Sequence, residues 1–371
     1  MKVLFISSWY PNSTNPLKGV FVKKHAGAIK SAGVEIEILA LTVSSSKKFF
    51  EKKVSKTVDE NGIVTHVIEL NSRFYKIIHV DLILQFGFLK KYFYKSVKPA
   101  FKPDIIHSNV LFPAAIMGYW LSKKEKLPHV ITEHWSKVDN FLHKSIYSNV
   151  GKKAYNTASF TTVVSEFLRK SLSKHFTDPG KIKVVPNVVN TTTFSFKAKS
   201  SNEKLVFCCI ANWGNPKRPD LIFKGIHEFS KISNKKIKLI VIGEGSLIEE
   251  QKKHKWDFEI SYVGNISPDQ IAVQLHKSDY FLHASNMETF SIVIAEALAT
   301  GTPVLASNVG AIPELINEEN GLLCNNDIES WTKSIKEITT LSFDNKKISE
   351  EAKNYDQEKI GNKFLTIYKS L

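Results

Sequence analysis

Residues 285–304 read SNMETFSIVIAEALATGTPV, and this stretch decides the fold of the second half of the chain. The apolar residues Tyr280–His283 just before it predict a buried strand, the polar residues that follow predict a loop, and Phe290–Ala299 predicts a helix. A turn at Gly301 then leads into a second apolar strand, Val304–Ser307. Strand, helix and strand in this order predict a crossover unit of a parallel sheet.

Two glutamates, Glu288 and Glu296, flank the start of this helix. A helix N-terminus presents unpaired backbone N–H groups and the positive end of the helix dipole, so it is a natural site for an anion. We therefore expect the backbone amides of Phe290, Ser291 and Ile292 to face an anionic ligand. Glu296 is about six residues into the predicted helix, which places it about 9 Å along the axis from the helix start. This distance suits two carboxylates, one before the helix and one within it, that hold hydroxyl groups on either side of a diphosphate. A surface acid and a helix acid without such a role would show the same spacing.

The same alternation of strands and helices covers the rest of the chain. The predicted strands are Val3–Ser7, Val34–Thr42, Val64–Leu70, Asp104–His107, His129–Thr132, Phe160–Val164, Ile182–Val185, Leu205–Ile210, Lys238–Ile242, Ile260–Val263, Tyr280–His283 and Val304–Ser307. The pattern restarts after a polar linker, Asn187–Thr193. It predicts an α/β fold with two Rossmann-like, doubly wound domains that face a central cleft. We place the N-terminal domain at 1–190, the C-terminal domain at 191–355, and at 356–371 a helix that returns to the N-terminal domain.

The composition is that of an ordinary globular protein. Hydrophobic residues make up 43% and charged residues 23% of the 371 positions, which excludes a mostly disordered chain. The sequence contains no apolar run long enough for a membrane-spanning helix, and its apolar start lacks the features of a signal peptide. The three cysteines, Cys208, Cys209 and Cys324, have neither disulfide-framework nor metal-site spacing. We therefore expect a protein of the reducing cytoplasm.

The positive charge is concentrated in the first half of the chain. The net charge is +15, and residues 1–190 hold 29 Lys and Arg against 13 Asp and Glu, whereas the remainder holds 22 against 23. The densest segment, Arg73–Lys102, has seven basic residues, eight aromatic residues and the single acid Asp81. This composition fits docking on an anionic membrane surface, an ordinary amphipathic helix packed on a sheet, or stacking on single-stranded nucleic acid.

A family resemblance rests on residues 285–323. The E-x7-E pair, the Gly301–Val304 segment that leads into a strand, and the turn from Gly310 to Glu314 resemble, in this order, the core signature of family-4 glycosyltransferases. The resemblance implies the GT-B fold and transfer of a sugar from a nucleotide-sugar, with UDP as the expected nucleotide, with retention of anomeric configuration. It also implies that Glu288 holds sugar hydroxyls and supports positive charge at the anomeric carbon, and that Glu296 holds the ribose.

Further donor-binding residues follow from the same resemblance. Residues 210–219 are similar to the family segment that carries an arginine and, five positions later, a lysine on the donor diphosphate. Lys217 matches the lysine, but Asn212 stands in the place of the arginine, so we expect Arg218 or another cation to compensate. Gly264 lies in a segment that resembles the one against the nucleobase. Residues 242–245 resemble the family's G-x-G loop.

In the N-terminal, acceptor-binding domain the resemblance is looser. The loop Pro11–Phe21, with Gly19 and Val20 at a helix start, resembles the loop that approaches the diphosphate and the acceptor. Residues 132–135 resemble the family's T-x-H-G motif, so that His134 is expected near the transferred sugar as a catalytic residue, and Trp135 replaces the glycine. His107 has a family counterpart, although a histidine after a strand is more often structural.

The chain contains no Asp-x-Asp motif. We therefore expect neither a metal ion nor another cofactor, with the leaving group stabilised by a lysine and by helix-terminal N–H groups. The predicted activity is transfer to a saccharide or lipid-linked acceptor in bacterial surface polysaccharide or glycan synthesis. The segment 73–102 is expected to dock at the inner face of the cell membrane. The alternatives are a GT-B-fold nucleotide-sugar epimerase, an inactive nucleotide-sugar binder and a nucleic-acid-binding protein, the last of which the ordered motifs argue against.

Overall fold

The computed structural model describes residues 1–13, 15, 17–198 and 203–371. They form two compact units, Met1–Val188 with Gln357–Leu371, and Val189–Asp356. The boundaries expected from the sequence lie within two residues of these divisions. Thr14 and Pro16, which belong to the predicted acceptor loop, lie outside the described residues.

The first unit is built on an eight-stranded sheet. Its strands are β1 (Lys2–Ser7), β2 (Glu35–Ser45), β3 (Glu51–Val58), β4 (Val64–Ser72), β5 (Ile105–Asn109), β6 (His129–Glu133), β7 (Phe160–Val163) and β8 (Ile182–Val184). The spatial order is β3-β4-β2-β1-β5-β6-β7-β8, and every neighbouring pair is parallel except β3 with β4. Leaving β3 aside, this is the doubly wound order in which the connections reverse direction beside the first strand.

Helices cover both faces of this sheet. They are α1 (Val20–Ser31), α2 (Tyr75–Val80), α3 (Leu82–Tyr92), α4 (Ile116–Glu125), α5 (Val138–Lys144), α6 (Ser148–Thr157) and α7 (Glu166–Ser173). Because β1 lies between two apolar layers, Val3, Leu4, Phe5 and Ile6 are all fully buried. The strand β3 was not predicted from the sequence, because its residues EKKVSKTV are almost all exposed and show no apolar alternation. Such charged strands are typical of sheet edges.

The basic, aromatic segment Arg73–Lys102 folds as α2, α3 and a π-helical turn at Phe93–Val97. Leu89, Phe93 and Val97 are buried in the layer that covers the sheet. Of the three interpretations, the amphipathic helix packed on a sheet is therefore the arrangement observed. The outer face of α2 and α3 nevertheless exposes several large apolar side chains.

The second unit contains a six-stranded, fully parallel sheet. Its strands are β9 (Leu205–Ile210), β10 (Ile237–Ile242), β11 (Glu259–Gly264), β12 (Tyr280–His283), β13 (Val304–Ser307) and β14 (Gly321–Cys324). Its helices are α8 (Pro219–Ser230), α9 (Ser246–Gln251), α10 (Pro268–His276), α11 (Ile292–Ala299), α12 (Ile328–Ile338) and α13 (Asn345–Ala352). The order β11-β10-β9-β12-β13-β14 is the six-stranded Rossmann order. The predicted pair of Rossmann-like domains is therefore confirmed.

The last helix, α14 (Gln357–Lys369), belongs to the first unit. Ile360, Phe364 and Tyr368 are buried in the core beside α1. A Cβ atom on Gly361 would lie 2.2 Å from the carbonyl oxygen of Ala28, so the two helix backbones approach closely. The predicted return of the C-terminal helix is thus observed. In the described part of the chain, no helix has the length and apolar character needed to cross a membrane.

Candidate active site

In the second unit, polar side chains gather where the winding of the sheet reverses. β9 is followed by β10 on one side, whereas β12 pairs on its other side, so the crevice beyond the carboxyl ends of these two strands is the expected ligand site. The loops that follow β9 and β12 are joined by a bridge between Lys217 and Ser285. The amide of Asn286 also donates to the carbonyl of Pro216 at 2.9 Å. The backbone therefore fixes these loops relative to each other.

Lys217, His283 and Glu288 form the centre of this site. The ammonium group of Lys217 is paired with Oε1 of Glu288. The same oxygen lies 3.0 Å from Nε2 of His283, which is 3.4 Å from the hydroxyl of Ser291. Sequence reasoning identified Lys217 and Glu288 but missed His283, although a histidine at the carboxyl end of a buried strand was an available signal. The structure thus joins residues that are 71 positions apart.

The electrostatics of this cluster favour an ionised glutamate and a neutral histidine. Burial by itself would raise the pKa of Glu288, but attraction to Lys217 and the contact with His283 outweigh it and lower the pKa to about 2. Burial and the neighbouring Lys217 lower the pKa of His283. A neutral imidazole can donate from Nε2 to the carboxylate. The site therefore holds a carboxylate that is charged at neutral pH.

The helix beside this cluster begins later than predicted. α11 starts at Ile292, and Ser291 caps it with φ 69° and no hydrogen bond from its side chain to the helix backbone. Phe290 belongs to the preceding loop, where its buried ring packs against Tyr355 at 5.4 Å. The first-turn amides are thus those of Ile292 and the two residues after it. The expectation of a helical turn at Phe290 was wrong because Ser291 adopts a left-handed conformation, which a helix cannot continue.

Glu296 lies in α11 and is buried. It is four positions after Ile292, so it is about 6 Å along the axis from the helix start rather than 9 Å. Both glutamates of the E-x7-E pair therefore belong to one loop-and-helix segment at the switch point, which is the place between β9 and β12 where the winding of the sheet reverses. Their positions fit two hydroxyl-binding carboxylates that flank the helix N-terminus.

Arg218, which was expected to compensate for the missing arginine, contacts Asp220 and Asn286 in this structure. Its guanidinium makes two hydrogen bonds with Asp220, at 2.8 and 2.7 Å, and reaches Asn286 at 3.4 Å. The hydrogen bonds to Asp220 also raise the pKa of Arg218. Asn212 is exposed, and its carbonyl accepts from the amide of Gly214 at 2.8 Å. The cation at the centre of this site is Lys217.

The loops after β10 and β11 lie beside each other. The amide of Gly243 donates to the carbonyl of Gly264 at 2.8 Å. The buried Trp213 fixes this edge, since its amide donates to the carbonyl of Glu244 and its indole N–H to that of Ile242. The G-x-G loop therefore packs on Trp213, and Gly264 lies at the edge where the resemblance places the nucleobase.

The turn at Gly310 packs against the backbone of Glu288. The amide of Ala311 donates to the carbonyl of Glu288 at 3.0 Å. Gly310 has φ 56°, and a Cβ atom there would lie 2.2 Å from the same carbonyl oxygen. Glycine is thus required by both the backbone conformation and the close approach. The sequence identified this turn as part of the family signature, but only the structure shows what it touches.

In the first unit, the sheet also reverses beside its first strand, between β1 and β5. The loop after β1 ends at Gly19, which caps α1 with φ 65°. A Cβ atom at this position would lie 1.9 Å from the carbonyl oxygen of Trp9. Val20 is the first residue of α1, so its amide lies at the helix N-terminus. This loop therefore brings a tight backbone turn to the switch point of the first unit.

His134 lies in a cluster of three buried histidines. Its ring centroid is 4.3 Å from that of Phe21 and 5.3 Å from that of His25. Burial and repulsion from His25 and His107 hold the pKa of His134 well below its usual value. The Nε2 atom of His107 lies 2.6 Å from the Thr132 hydroxyl, and its Nδ1 contacts the Tyr368 hydroxyl. These contacts give His107 a structural role, while His134 is a neutral hydrogen-bonding group.

Glu133 holds the His134 loop in place, and sequence reasoning did not identify it. Its Oε1 accepts from the amides of His134 and Trp135, both at 2.8 Å. Its Oε2 accepts from the amide of Leu111 at 2.8 Å and from the hydroxyl of Tyr155 at 2.7 Å. The carboxyl is fully buried, and this burial raises its pKa although the four hydrogen bonds oppose the change. Glu133 is a positioning residue for the loop.

Two Rossmann-like units, each with polar groups at its switch point, define the class of two-domain α/β enzymes with the GT-B architecture. Residues 190–355 match the family model described as glycosyl transferases group 1, and residues 19–193 match the model described as glycosyltransferase family 4. The chain belongs to the family-4 glycosyltransferases. The family resemblance drawn from the sequence is therefore confirmed.

Several curated relatives share part of this sequence. An alpha-monoglucosyldiacylglycerol synthase of Streptococcus pneumoniae is 24% identical over 58% of this chain and 54% of its own length. The chain thus spans about half the length of that relative. A Bacillus subtilis glycosyltransferase named for teichuronic acid biosynthesis is 24% identical over 87% of this chain and 85% of its own length. An N-acetyl-alpha-D-glucosaminyl L-malate synthase of Bacillus anthracis is 26% identical over 71% of this chain and 74% of its own length.

Solved structures share the whole fold. A sucrose-phosphate synthase from Thermosynechococcus elongatus superposes with a TM-score of 0.73 at 16% identity, covering 100% of this chain and 98% of its own. HepE from Anabaena, solved in complex with UDP-glucose, gives a TM-score of 0.73 at 16% identity and covers 100% of both chains. At this level of identity the likeness establishes the GT-B fold.

Proposed function

We propose that this chain transfers a sugar from a UDP-sugar to a saccharide or lipid-linked acceptor, with retention of the anomeric configuration. The observation that carries the proposal is the cluster of Lys217, His283 and Glu288 at the switch point, beside the N-terminus of α11. A lysine and free helix amides suit a diphosphate, and an ionised carboxylate suits sugar hydroxyls.

Donor binding exchanges the partners of Lys217. The diphosphate carries more negative charge than one carboxylate, so the ammonium group of Lys217 turns from Glu288 to the phosphates. The amides of Ser291 and Ile292 hold the same phosphates, Glu296 accepts from ribose hydroxyls, and Gly264 faces the nucleobase. Glu288 is then released to accept hydrogen bonds from the sugar. Its low pKa keeps it ionised, so it also stabilises positive charge that develops at the anomeric carbon.

The transfer forms one bond and breaks another at the anomeric carbon. The acceptor hydroxyl oxygen attacks from the face that the leaving group vacates, and the bond between the anomeric carbon and the phosphate oxygen breaks. The electron pair of that bond remains on UDP, and a phosphate oxygen takes the acceptor proton. Lys217 and the helix amides stabilise the charge on UDP without a metal ion. In the first unit, we assign the neutral His134 to hydrogen bonding with substrate and the Gly19–Val20 turn to acceptor binding.

A binding screen tests the donor assignment. We would record thermal shifts and calorimetric titrations of the full chain with a panel of nucleotide-sugars and nucleotides. A ligand at a hundred times its Kd raises the free energy of unfolding by about 2.7 kcal/mol. We expect a UDP-sugar to give this response, Glu296→Ala to lose it, and Glu337→Ala, an exposed acid on α12, to keep it. A panel without any response, or an unchanged response in Glu296→Ala, contradicts the assignment.

The stereochemistry requires a separate measurement. With the donor named by the screen and a panel of saccharide and glycolipid acceptors, nuclear magnetic resonance of the product reports its anomeric configuration. We expect the configuration of the donor to be preserved and Glu288→Gln to remove transfer while the protein remains folded. An inverted product contradicts retention. Isomerisation of the donor sugar without an acceptor indicates an epimerase, and tight binding without turnover indicates an inactive binder.

We also propose that the first unit docks on an anionic membrane through the outer face of α2 and α3. Ile77 and Ile83 are 65% and 81% exposed and lie between Lys76 and Lys90 of the basic segment. Ile146, 88% exposed, precedes Tyr147, whose hydroxyl donates to the carbonyl of Val80 at 2.6 Å. Exposed apolar side chains within a basic surface suit an interface with anionic headgroups. This location at the inner face of a bacterial membrane fits a lipid-linked acceptor and surface glycan synthesis.

Vesicle sedimentation tests this docking. The double variant Ile77→Glu with Ile83→Glu should lose sedimentation with phosphatidylglycerol vesicles, since two carboxylates oppose both insertion and headgroup binding. Ile232→Glu, which changes an isoleucine that is 59% exposed on the second unit, is the matched control and should sediment as the wild type does. Equal sedimentation of the double variant and the control excludes this face. Binding to oligonucleotides instead of vesicles indicates a nucleic-acid surface.

A further inference from the structure

Three potential metal ligands converge in the first unit, away from the histidine cluster described above. Asp139 and His143 lie four residues apart on α5, and His175 follows α7. Oδ1 of Asp139 lies 3.4 Å from Nε2 of His143 and 2.6 Å from Nε2 of His175. One atom from each of the three side chains lies within 4.8 Å of the others. Two imidazoles and one carboxylate thus face a common point.

We propose that Asp139, His143 and His175 form a binding site for a divalent transition-metal ion, with Zn²⁺ as the preferred occupant. Imidazole and carboxylate are ligands of zinc, with bonds of about 2.0–2.2 Å in a tetrahedral arrangement. Ligand atoms in such an arrangement are about 3.3 Å apart. The spacing between Asp139 and His143 already has this value, and the hydrogen bond between Asp139 and His175 needs to open by less than 1 Å. The fourth position remains for water.

The two histidine ligands differ in their exposure to solvent. The His175 side chain is only 4% exposed, and its backbone is fixed by bonds to Leu172 and Asn156. The His143 side chain is 56% exposed and can swing onto an ion. A buried ligand with a fixed backbone and an exposed ligand on the solvent side form a site that an ion can enter. Sequence spacing did not indicate this site, because more than thirty residues separate the two histidines.

Lys174 competes with the ion. Its ammonium group lies 3.0 Å from Oδ2 of Asp139, so the same carboxylate now serves an ordinary ion pair. An ion bound to Oδ1 would be repelled by this ammonium group. Removal of the lysine charge should therefore strengthen metal binding, whereas it would weaken a purely structural network of ion pairs. The effect of removing the Lys174 charge therefore distinguishes a metal site from a network of ion pairs.

An ion at this position would act on the loop beside His134. α5 also carries Phe141, whose ring centroid lies 5.5 Å from that of Trp135 and 5.0 Å from that of Phe112. Coordination ties α5 to the residue after α7, and so restrains the helix that packs on Trp135. The ion thus has a structural role near the loop that carries His134, and its binding does not depend on the donor chemistry.

Calorimetric titration of the tag-free full chain with ZnCl₂ tests the proposal, with Co²⁺ and its visible absorption as a second readout. We expect one ion per chain and Co²⁺ bands typical of tetrahedral coordination. Loss of a group that only supports a ligand weakens known sites about 10–100-fold, so loss of the ligand in His143→Ala should weaken binding at least about tenfold. Because His143 is exposed, this variant should fold normally. The control His254→Ala, an exposed histidine of the second unit, should bind as the wild type does.

The variant Lys174→Ala completes the test. We expect it to bind Zn²⁺ more tightly than the wild type, with His143→Ala abolishing the gain in the double variant. Absence of a one-to-one event in the wild type overturns the proposal, as does equal affinity of His143→Ala and His254→Ala. Weaker binding in Lys174→Ala also overturns it and leaves these residues as a network of ion pairs.

Discussion

Glu288 is subject to two opposing influences. Burial favours its protonated form, whereas the ammonium group of Lys217 and the imidazole of His283 favour the carboxylate and prevail. A charged group in this environment is costly unless it is paired. The pair with Lys217 therefore keeps this buried carboxylate ionised at neutral pH.

The first prediction concerns the pH dependence that this pair creates. Since the pKa of Glu288 is about 2 in the folded chain and 4.5 is its ordinary value, the ionised pair contributes stability above about pH 4.5 and loses it as the pH falls towards 2. The difference in free energy of unfolding between the wild type and Glu288→Gln should therefore shrink with acidification, by up to about 3 kcal/mol. Urea titrations at several pH values measure it. A difference independent of pH contradicts the assignment.

The second prediction concerns the left-handed residue before α11. Ser291 has φ 69°, a conformation that costs a residue with a Cβ atom about 1–2 kcal/mol. Ser291→Gly should therefore be more stable than Ser291→Ala by about 1 kcal/mol, although both lose the hydroxyl near His283. Thermal unfolding of the two variants gives the comparison. An alanine variant that is at least as stable as the glycine variant would show that this backbone is not strained.

At the scale of elements, the candidate site of the second unit is a set of loops that contact one another through their backbones. The β9 loop is bridged to the β12 loop, and the turn after β13 lies against the carbonyl of Glu288. Because each loop contributes backbone groups to its neighbour, the position of Glu288 depends on residues that never reach a ligand. Glu133 has the same relation to the His134 loop in the first unit.

The third prediction tests these contacts. Gly310→Ala places a methyl group where only 2.2 Å separates it from the carbonyl oxygen of Glu288, and it adds strain at a positive φ. We expect a loss of about 1–3 kcal/mol in stability together with weaker nucleotide binding. Gly214→Ala is the matched control, because its Cβ would meet no atom within 4 Å. Equal denaturation midpoints for the two variants would argue against such contacts.

Local patterns predicted the elements better than they predicted the site. Apolar periodicity located most strands of both sheets, because buried parallel strands are short apolar runs such as Leu205–Ile210. The charged edge strand β3 and the late start of α11 were missed, since pairing and backbone strain decide them. Lys217 and Glu288 were found through the family resemblance. His283 offered a local signal, its position at the carboxyl end of a buried strand, which was overlooked. The contacts of Glu133 with Leu111 and Tyr155, and those within the Asp139 cluster, join distant segments and are absent from any local pattern.

At the scale of the whole molecule, the chain ends in the unit where it begins. In the sequence, the second unit is inserted between Val188 and Gln357 of the first unit. The C-terminal helix α14 contributes Ile360, Phe364 and Tyr368 to the core beside α1. Tyr368 also contacts His107, which bonds Thr132 two residues before His134. The C-terminal helix therefore contacts the buried histidines of the first unit as well as its core.

The fourth prediction follows from this arrangement. Phe364 is fully buried, so Phe364→Ala should destabilise the first unit by about 3–5 kcal/mol. Hydrogen exchange of α1 should accelerate, while the strands of the second unit stay protected. Phe49→Ala, at a side chain that is 69% exposed, should change stability by no more than about 0.5 kcal/mol. Unchanged exchange in α1 of the Phe364 variant would show that α14 is not part of that core.

The measurement that most directly tests the central claim is calorimetric titration of UDP into the wild type, Lys217→Gln and Lys224→Gln. Lys224 is an exposed lysine on α8 and serves as the control for loss of one positive charge. A hydrogen bond to a charged group contributes about 1.5–3 kcal/mol, so Lys217→Gln should weaken UDP binding by about 10–100-fold while Lys224→Gln binds as the wild type does. Wild-type affinity in Lys217→Gln would contradict the account, because the diphosphate would then be held elsewhere.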